Sequence, residues 1–453
     1  MNSLALSTDL YELTMAAGYY TAGLTATRAT FELYVRALPA HRSYLVAAGL
    51  EQALDCLEHL RFSRDDIDHL RTLPALERVR RDFFDEYLPQ FRFTGEVWAV
   101  DEGTPVFPPE PLLRVTAPLP EAQLVETVLL AQVGFQTSVA SRAARVVEAA
   151  AGRAVVEFGA RRAHGIEAGV LAARASVLAG CESTSNVEAG RRFGIPVSGT
   201  MAHSWVTAFP SELAAFRQYM DVFGDRTVIL LDTYDTLAAA REIAAAGLTP
   251  GAVRLDSGDV AALSRSVRVI LDGAGLRDTK IFVSGDLDEW RIAAMVEAGA
   301  PVDGFGVGAA LSTASDAPSL GAIYKLVEID RGGAAAPVMK RSPGKETCPG
   351  RKQVWRILDA GTAREDVIDL ADSPPGLART DQFPATRSLL RRVMRDGTRE
   401  CASPSLTELR ARHRAAIAEL PSSVRRLHDP GRYPVRLGSA LQAAIARASA
   451  SGR

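Results

Sequence analysis

The sequence predicts an α/β protein whose centre is an irregular, TIM-like β/α barrel, preceded by a mixed region that carries an antiparallel sheet. Three observations carry this prediction. From about residue 120 to 330, seven short apolar runs alternate with alanine-rich helical stretches, the pattern of parallel strands joined by right-handed crossovers. Seven runs come close to the eight of a closed barrel. Nearly every run then empties into glycine, hydroxyl, acid or arginine, as expected where strand carboxyl ends face one functional mouth.

The elements follow in order. Residues 9–20 read as a helix, with Ser7, Thr8 or Asp9 as its cap. Residues 30–36 alternate polar and apolar side chains, as a half-buried strand should. Residues 44–88 have helical spacing, and 95–100 and 112–116 read as strands on either side of a proline-rich connection. Such a mixture implies an α+β region with an antiparallel sheet. Residues 121–151 are largely helical. The apolar runs are 154–158, 176–179, 195–197, 228–231, 252–255, 280–283 and 302–306, with helices expected at 236–246, 260–272 and 288–298. Past residue 330 the pattern weakens. Residues 331–337 read as a turn or linker, and 339–355 as a basic hairpin that either lies solvated or contacts phosphates. A helix should begin near Ser405, and the last dozen residues read as a frayed helix or disordered chain.

Bulk properties exclude several function classes. Hydrophobic content of 47% and charged content of 23% over 453 residues are ordinary for a globular protein with a sizeable core. A net charge of -2 gives no reason to expect nucleic acid or an anionic membrane as a partner. Four widely spaced cysteines without a CxxC pair argue against a zinc site and a disulfide framework, and suit a reducing cytoplasm. Neither a signal peptide nor an apolar stretch of the roughly 20 residues needed to cross a bilayer is evident.

The chemistry concentrates at the run ends. His203 lies in Gly199-Thr200-Met201-Ala202-His203-Ser204-Trp205, just after the run 195–197. Imidazole changes charge near neutral pH and can act as a nucleophile, although a histidine there can also merely cap the next helix. In Arg254-Leu255-Asp256-Ser257 the guanidinium and carboxylate are two residues apart on a strand and point to the same side. They either face a ligand together or form an internal salt bridge. Phe158 offers an aromatic face beside Arg161 and Arg162, for stacking on a flat heterocycle or for the core. Ser284-Gly285-Asp286 and Gly306-Val307-Gly308 leave backbone N–H groups exposed for an anion.

Taken with these, several stretches bring a resemblance into view. Thr8-Asp9-Leu10-Tyr11-Glu12-Leu13-Thr14-Met15, Phe158-Gly159-Ala160-Arg161-Arg162, Gly199-Thr200-Met201-Ala202-His203-Ser204 and Arg254-Leu255-Asp256-Ser257-Gly258-Asp259 resemble the nicotinate phosphoribosyltransferase family. So do the stretch Pro318-Ser319-Leu320-Gly321-Ala322-Ile323-Tyr324-Lys325 and, near the end, Leu427-His428-Asp429-Pro430-Gly431-Arg432-Tyr433-Pro434. The likeness spans nearly the whole chain in the family's order.

The resemblance implies a barrel packed against an α/β domain built from both chain ends. It divides the chain into an N-terminal α/β domain (1–125), a catalytic barrel (126–330) and a C-terminal segment (331–453) that packs back on the first. The implied reaction joins nicotinate to phosphoribosyl pyrophosphate, giving nicotinate mononucleotide and pyrophosphate in NAD biosynthesis. ATP is hydrolysed alongside, with Mg²⁺ held mainly through substrate phosphates, in a cytoplasmic homodimer with shared sites. By motif, His203 is the residue phosphorylated by ATP, and Asp256 is catalytic beside the sugar. Tyr11 (from the neighbouring subunit) and Phe158 would sandwich the pyridine ring, with Thr200, Arg254 and Ser185 around its carboxylate. Arg161, Asp256, Ser257, Gly285, Asp286, Gly306, Gly308 and Thr313 would surround the sugar phosphate and pyrophosphate. The related nicotinamide enzymes look to carry an aspartate where Ser185 stands, which would accept from an amide and repel an acid. The remaining alternatives are a quinolinate phosphoribosyltransferase and a non-catalytic nucleotide-binding barrel.

Overall fold

The antiparallel sheet gathers strands from the start, middle and end of the chain. In this computed structural model, which describes residues 3–373 and 385–450, its order is Ala335–Pro337, Ala322–Asp330, Arg28–Val35, Pro111–Pro118, Glu96–Val100, Leu390–Arg395 and Thr398–Arg399. Arg28–Val35 was expected to be half-buried, yet every residue after Arg28 is buried. It is a central strand, flanked by Pro111–Pro118 on one side and Ala322–Asp330 on the other, so its polar residues Thr30 and Glu32 lie inside. Glu32 meets Lys352 at 2.9 Å, which ties the C-terminal part of the chain to the first strand.

Ala322–Asp330 therefore belongs to this sheet, so the expected barrel segment 126–330 overruns by one strand. Ala335–Pro337 extends the same sheet where a linker was expected. The long helix Glu126–Ala149 lies against both layers, packing on the strand Leu45–Val46 and on the barrel helix Ile166–Leu178.

The second sheet is parallel, in the order Ser183–Thr184, Ala154–Glu157, Gly304–Val307, Lys280–Val283, Ala252–Leu255 and Val228–Leu230. It curls but does not close. Between its edge strands there is only an isolated parallel bridge from Thr184 to Val197, and the Thr200 hydroxyl donates to the Val228 carbonyl at 3.1 Å. The expected alternation is otherwise present, with helices at Thr236–Ala245, Val260–Gly273 and Glu289–Glu297.

Two runs departed from this: residues 195–197 form no strand and leave only the isolated bridge at Val197, and a second run was misplaced. Residues 176–179 close the helix Ile166–Leu178 and its cap, and the strand begins later at the polar pair Ser183–Thr184. That helix is buried from Gly169 onward, so it shows no amphipathic period, and its apolar end imitates a strand. Its alanines and leucines have the stronger helix propensity.

A third sheet, in the order Ala385–Ser388, Lys352–Asp359, Thr362–Leu370 and Val435–Leu437, carries the chain's end. Arg356, fully buried, pairs with Asp366 at 2.6 Å, and the Tyr433 hydroxyl donates to the same carboxylate at 3.0 Å. Tyr433 also stacks on Phe107 with ring centroids 4.1 Å apart, so this tyrosine of the C-terminal motif is a structural tie. In the basic stretch 339–355, Lys352 is buried and Arg351 pairs with Glu328 and Asp372, while Lys340, Arg341 and Lys345 are exposed. The helix capped by Ser405 runs Leu406–Ala418 with a full capping box. The end of the chain forms a helix, Ser439–Ala450, and residues 451–453 lie outside the described residues. Among the described residues no helix is long and apolar enough to cross a membrane.

Glu212, in the first turn of the helix Glu212–Phe223, is pushed up to about 6 by burial and by the carboxylates of Glu242 and Asp235. A folded value above the unfolded one, about 4.3, means that the protonated form stabilises the fold. That contribution is complete below the unfolded value and is lost as pH rises through the folded one. Glu212→Gln should raise Tm at pH 8 by about 1 °C and leave it unchanged at pH 4. An equal shift at both pH values contradicts this assignment.

Candidate functional site

The carboxyl ends of the parallel strands surround a small hole. A cavity of about 110 Å³ enters the barrel between Phe158, Thr200, Val228, Arg254, Phe282 and Gly306, with Val156, Ser198, Gly199, Val283 and Ser284 completing its wall. Arg254 is the one charged residue in that wall. Its placement follows from strand alternation: Val253 and Leu255 point into the core, and Arg254 points the other way, into the hole.

A guanidinium in such a place needs partners. Arg254 Nε donates to the Ser284 hydroxyl at 2.7 Å, and one Nη donates to Asp256 at 2.6 Å. Ser284 in turn donates to the same Asp256 oxygen. The internal salt bridge weighed from the sequence therefore forms, and it forms at the cavity. Arg254 also sits over the Phe158 ring at 5.8 Å. Burial alone would lift Asp256, but the Ser284 hydroxyl and the Arg254 guanidinium outweigh it, and His203 adds its field. The carboxyl is held below the usual aspartate range, so Asp256 is charged at neutral pH.

His203 begins the short helix His203–Thr207 and is exposed. Its Nδ1 faces the Thr233 hydroxyl at 3.2 Å, which leaves Nε2 without a hydrogen bond. Asp232, beside Thr233, accepts through one oxygen from the Asp256 amide at 3.0 Å and the Ser257 hydroxyl at 2.6 Å. Its other oxygen is buried without a partner.

Two glycines make close approaches. Gly285 has φ +93°, and a Cβ there would lie 2.0 Å from the Asp256 carbonyl oxygen. Gly306 lies against the Phe158 ring, where a Cβ would come within 2.5 Å. Asp286 adopts φ 46° and is exposed.

The structure thus brings Phe158, Thr200, Arg254 and Gly306 to the cavity wall, with Asp256 bonded to Arg254 and Ser257 on the next loop position. Gly308 precedes the short helix Ala309–Ser312, whose cap is Thr313, and Arg161 is exposed in the turn Ala160–Arg162. Ser185 follows the edge strand Ser183–Thr184, its amide donating to the Glu157 carbonyl at 2.9 Å. Within one chain Tyr11 does not line the cavity. It is 44% exposed on the first helix, its hydroxyl beside Glu126.

Sequence reasoning missed Ser284, Asp232 and Glu157 as supports. Glu157, buried on its strand, accepts from the Gly159 amide and from Thr184 at 2.6 Å, which fixes the Phe158 turn. A buried acid at the end of an apolar run was its signal. A ladder of ion pairs lies behind the loops that follow Lys280–Val283 and Gly304–Val307. Asp316 accepts two bonds from Arg42, both at 2.7 Å, and pairs with Arg142 at 3.0 Å. Glu289 takes Arg142 at 2.8 Å and Arg145 at 3.2 Å.

Gly285→Ala should lower stability by about 3 kcal/mol or more, since strain at positive φ adds to a backbone overlap that no rotamer relieves. Gly299, at φ +63° with open space around it, serves as control, and Gly299→Ala should cost about 1 kcal/mol. Denaturant melts of the two variants check this, and equal losses contradict the overlap.

Comparison with known proteins places this geometry in a family. Models of the nicotinate phosphoribosyltransferase N-terminal and C-terminal domains match residues 6–134 and 351–444, and a quinolinate phosphoribosyl transferase C-terminal domain model matches 139–317. A nicotinate phosphoribosyltransferase of Mycobacterium tuberculosis is 45% identical over 452 residues, covering 98% of this chain and 93% of its own. A Bacillus subtilis nicotinate phosphoribosyltransferase is 42% identical, covering 82% of this chain and 77% of its own. The crystal structure of human nicotinic acid phosphoribosyltransferase superposes with a TM-score of 0.83 at 31% identity, covering 97% of this chain and 99% of that one. With relatives of this identity running nearly end to end, and the fold shared, the chain belongs to the nicotinate phosphoribosyltransferase family.

Proposed function

We propose that this chain joins nicotinate to phosphoribosyl pyrophosphate, releasing nicotinate mononucleotide and pyrophosphate, and that ATP drives the reaction through phosphorylation of His203. One observation carries the substrate: a largely apolar, ring-sized hole whose single charged wall residue is Arg254. Two of the guanidinium's nitrogens are engaged by Ser284 and Asp256, and the remaining Nη makes no hydrogen bond among the described residues. That donor suits one carboxylate. Quinolinate carries a second carboxylate and would want a second cation in the wall. The Ser185 hydroxyl carries no charge to repel an acid, unlike an aspartate at that position.

In the reaction the pyridine nitrogen attacks the anomeric carbon, the carbon–oxygen bond to pyrophosphate breaks, and positive charge develops on the sugar. Phe158 and Arg254 hold the ring so that its nitrogen faces outward to the sugar. The ionised Asp256, just above the cavity, opposes the developing charge. Gly285, Asp286, Gly308, Thr313 and Arg161 follow the strand ends and would face the leaving group, with Gly306 at the end of its own strand beside them. Asp232, one of whose oxygens is buried without a partner among the described residues, offers a carboxylate to a Mg²⁺ ion that would be held chiefly through the substrate's phosphates. When bound, the ion neutralises pyrophosphate charge. Dimer formation, with Tyr11 reaching the neighbouring site, is supported by that residue's exposure.

For the ATP step, His203 Nε2 attacks the γ-phosphorus, ADP leaves, and Nδ1–H is held by Thr233. Phosphorylation adds close to two negative charges beside Asp256 and Asp232. Reorganisation of these loops would then tighten phosphoribosyl pyrophosphate binding, each tenfold gain corresponding to about 1.4 kcal/mol of coupling.

Purified protein with Mg²⁺ and phosphoribosyl pyrophosphate should convert nicotinate in preference to nicotinamide or quinolinate. Arg254→Gln should raise the nicotinate KM by about 50-fold, the loss of one charge-assisted contact. Product from nicotinamide but not from nicotinate overturns the substrate assignment. His203→Ala should abolish stimulation by ATP and keep slow ATP-independent transfer. Undiminished ATP stimulation in that variant removes His203 from the mechanism.

A further inference from the structure

We propose that a second cavity, remote from the barrel mouth, is a binding site for a mononucleotide-sized organic phosphate. It lies between the helices Glu126–Ala149, Ile166–Leu178 and Leu406–Ala418 and measures about 330 Å³, larger than the hole in the barrel. That volume falls in the range of small-molecule sites.

Its charge is unbalanced. Arg410, Arg414 and Arg425 line it, with Glu148 as the one acid. Glu148 is already taken by Arg425 at 3.0 Å. Among the described residues, Arg410 and Arg414 form no hydrogen bond and no ion pair. The Nε atoms of Arg410 and Arg425 are buried without an acceptor. Arg410 and Arg414 are four residues apart on one helix face, where like charges repel. Arg414 is exposed and Arg410 half-buried, so both guanidiniums are open to an anion entering the cavity from solvent, and the buried Nε of Arg410 is left for an acceptor. Arginine's planar donor fork suits a phosphate, which accepts two parallel bonds.

Tyr44, Val147 and Ile417 add apolar surface to the same lining. Tyr44 is buried, and burial pushes its phenol up, so it stays neutral and offers a flat face. Cationic groups and apolar surface in one cavity suit a phosphate carrying a ring. The floor is formed by Ala179 and Gly180, in the turn that enters the edge strand Ser183–Thr184 from its amino end. The catalytic mouth is at the carboxyl end of the same strand. An occupant would press on the turn leading to Ser185, and any effect on the mouth would be reciprocal.

Calorimetric titration of the full chain with AMP, inorganic phosphate and adenosine tests the proposal without relying on transferase activity. AMP should bind saturably, at least tenfold tighter than phosphate or adenosine. The double variant Arg410→Gln/Arg414→Gln should weaken AMP at least tenfold while its melting temperature stays within 2–3 °C of the parent, as for surface changes of small cost. Glu148→Gln, which removes the one acid, should tighten AMP about threefold, a gain that misfolding cannot produce. AMP affinity unchanged in both variants overturns the site, and phosphate binding as tightly as AMP overturns the assignment of a ring-bearing ligand.

Discussion

An arginine pointing into a barrel has to be neutralised where it stands, and the pairing of Arg254 with Asp256 and Ser284 sets the geometry around it. The acid must come from the same strand two residues on, and the hydroxyl from the end of the neighbouring strand. That requirement places the aspartate at the rim, the guanidinium below it and the Phe158 face beside both. Gly285 then has to be glycine, because the Asp256 carbonyl occupies the space a side chain would need. Asp232 holds the Asp256 amide from the other side. The arrangement at the cavity rim follows from one charge that could not be left alone.

The surrounding scaffold makes those positions durable. The helices Glu126–Ala149 and Ile166–Leu178 are rich in small residues and extensively buried, so they support the strands with little freedom to shift. Behind the loops after Lys280–Val283 and Gly304–Val307, the arginine and carboxylate ladder links Asp316 and Glu289 to the long helix Glu126–Ala149. Buried ion pairs of this kind add little net stability, but removing one member leaves an unpaired charge. The antiparallel sheet draws its strands from distant parts of the chain, pairing Arg28–Val35 with Ala322–Asp330 and Glu96–Val100 with Leu390–Arg395.

Much of this was legible in the sequence, for identifiable reasons. Strands such as Val228–Leu230 and Ala252–Leu255 are apolar because helices cover them, and they end in polar residues because solvent begins there. Arg254 and Asp256 were legible through the two-residue period of a strand. Ser183–Thr184 was not, since an edge strand of two hydroxyl residues carries no hydrophobic signal, whereas the buried end of Ile166–Leu178 mimics one. The interior position of Arg28–Val35 was hidden as well, because Glu32 is buried only by virtue of Lys352, more than three hundred residues away. Ser284 and Asp232 are ordinary turn residues in one dimension, and become supports only when neighbouring strands align.

The most direct measurement is a crystal structure of the chain with nicotinate bound. The account requires the pyridine ring to lie against Phe158 with its carboxylate on the Arg254 guanidinium and its nitrogen turned toward Asp256. A carboxylate held elsewhere, with the remaining Arg254 Nη unbonded and the cavity empty, would contradict it.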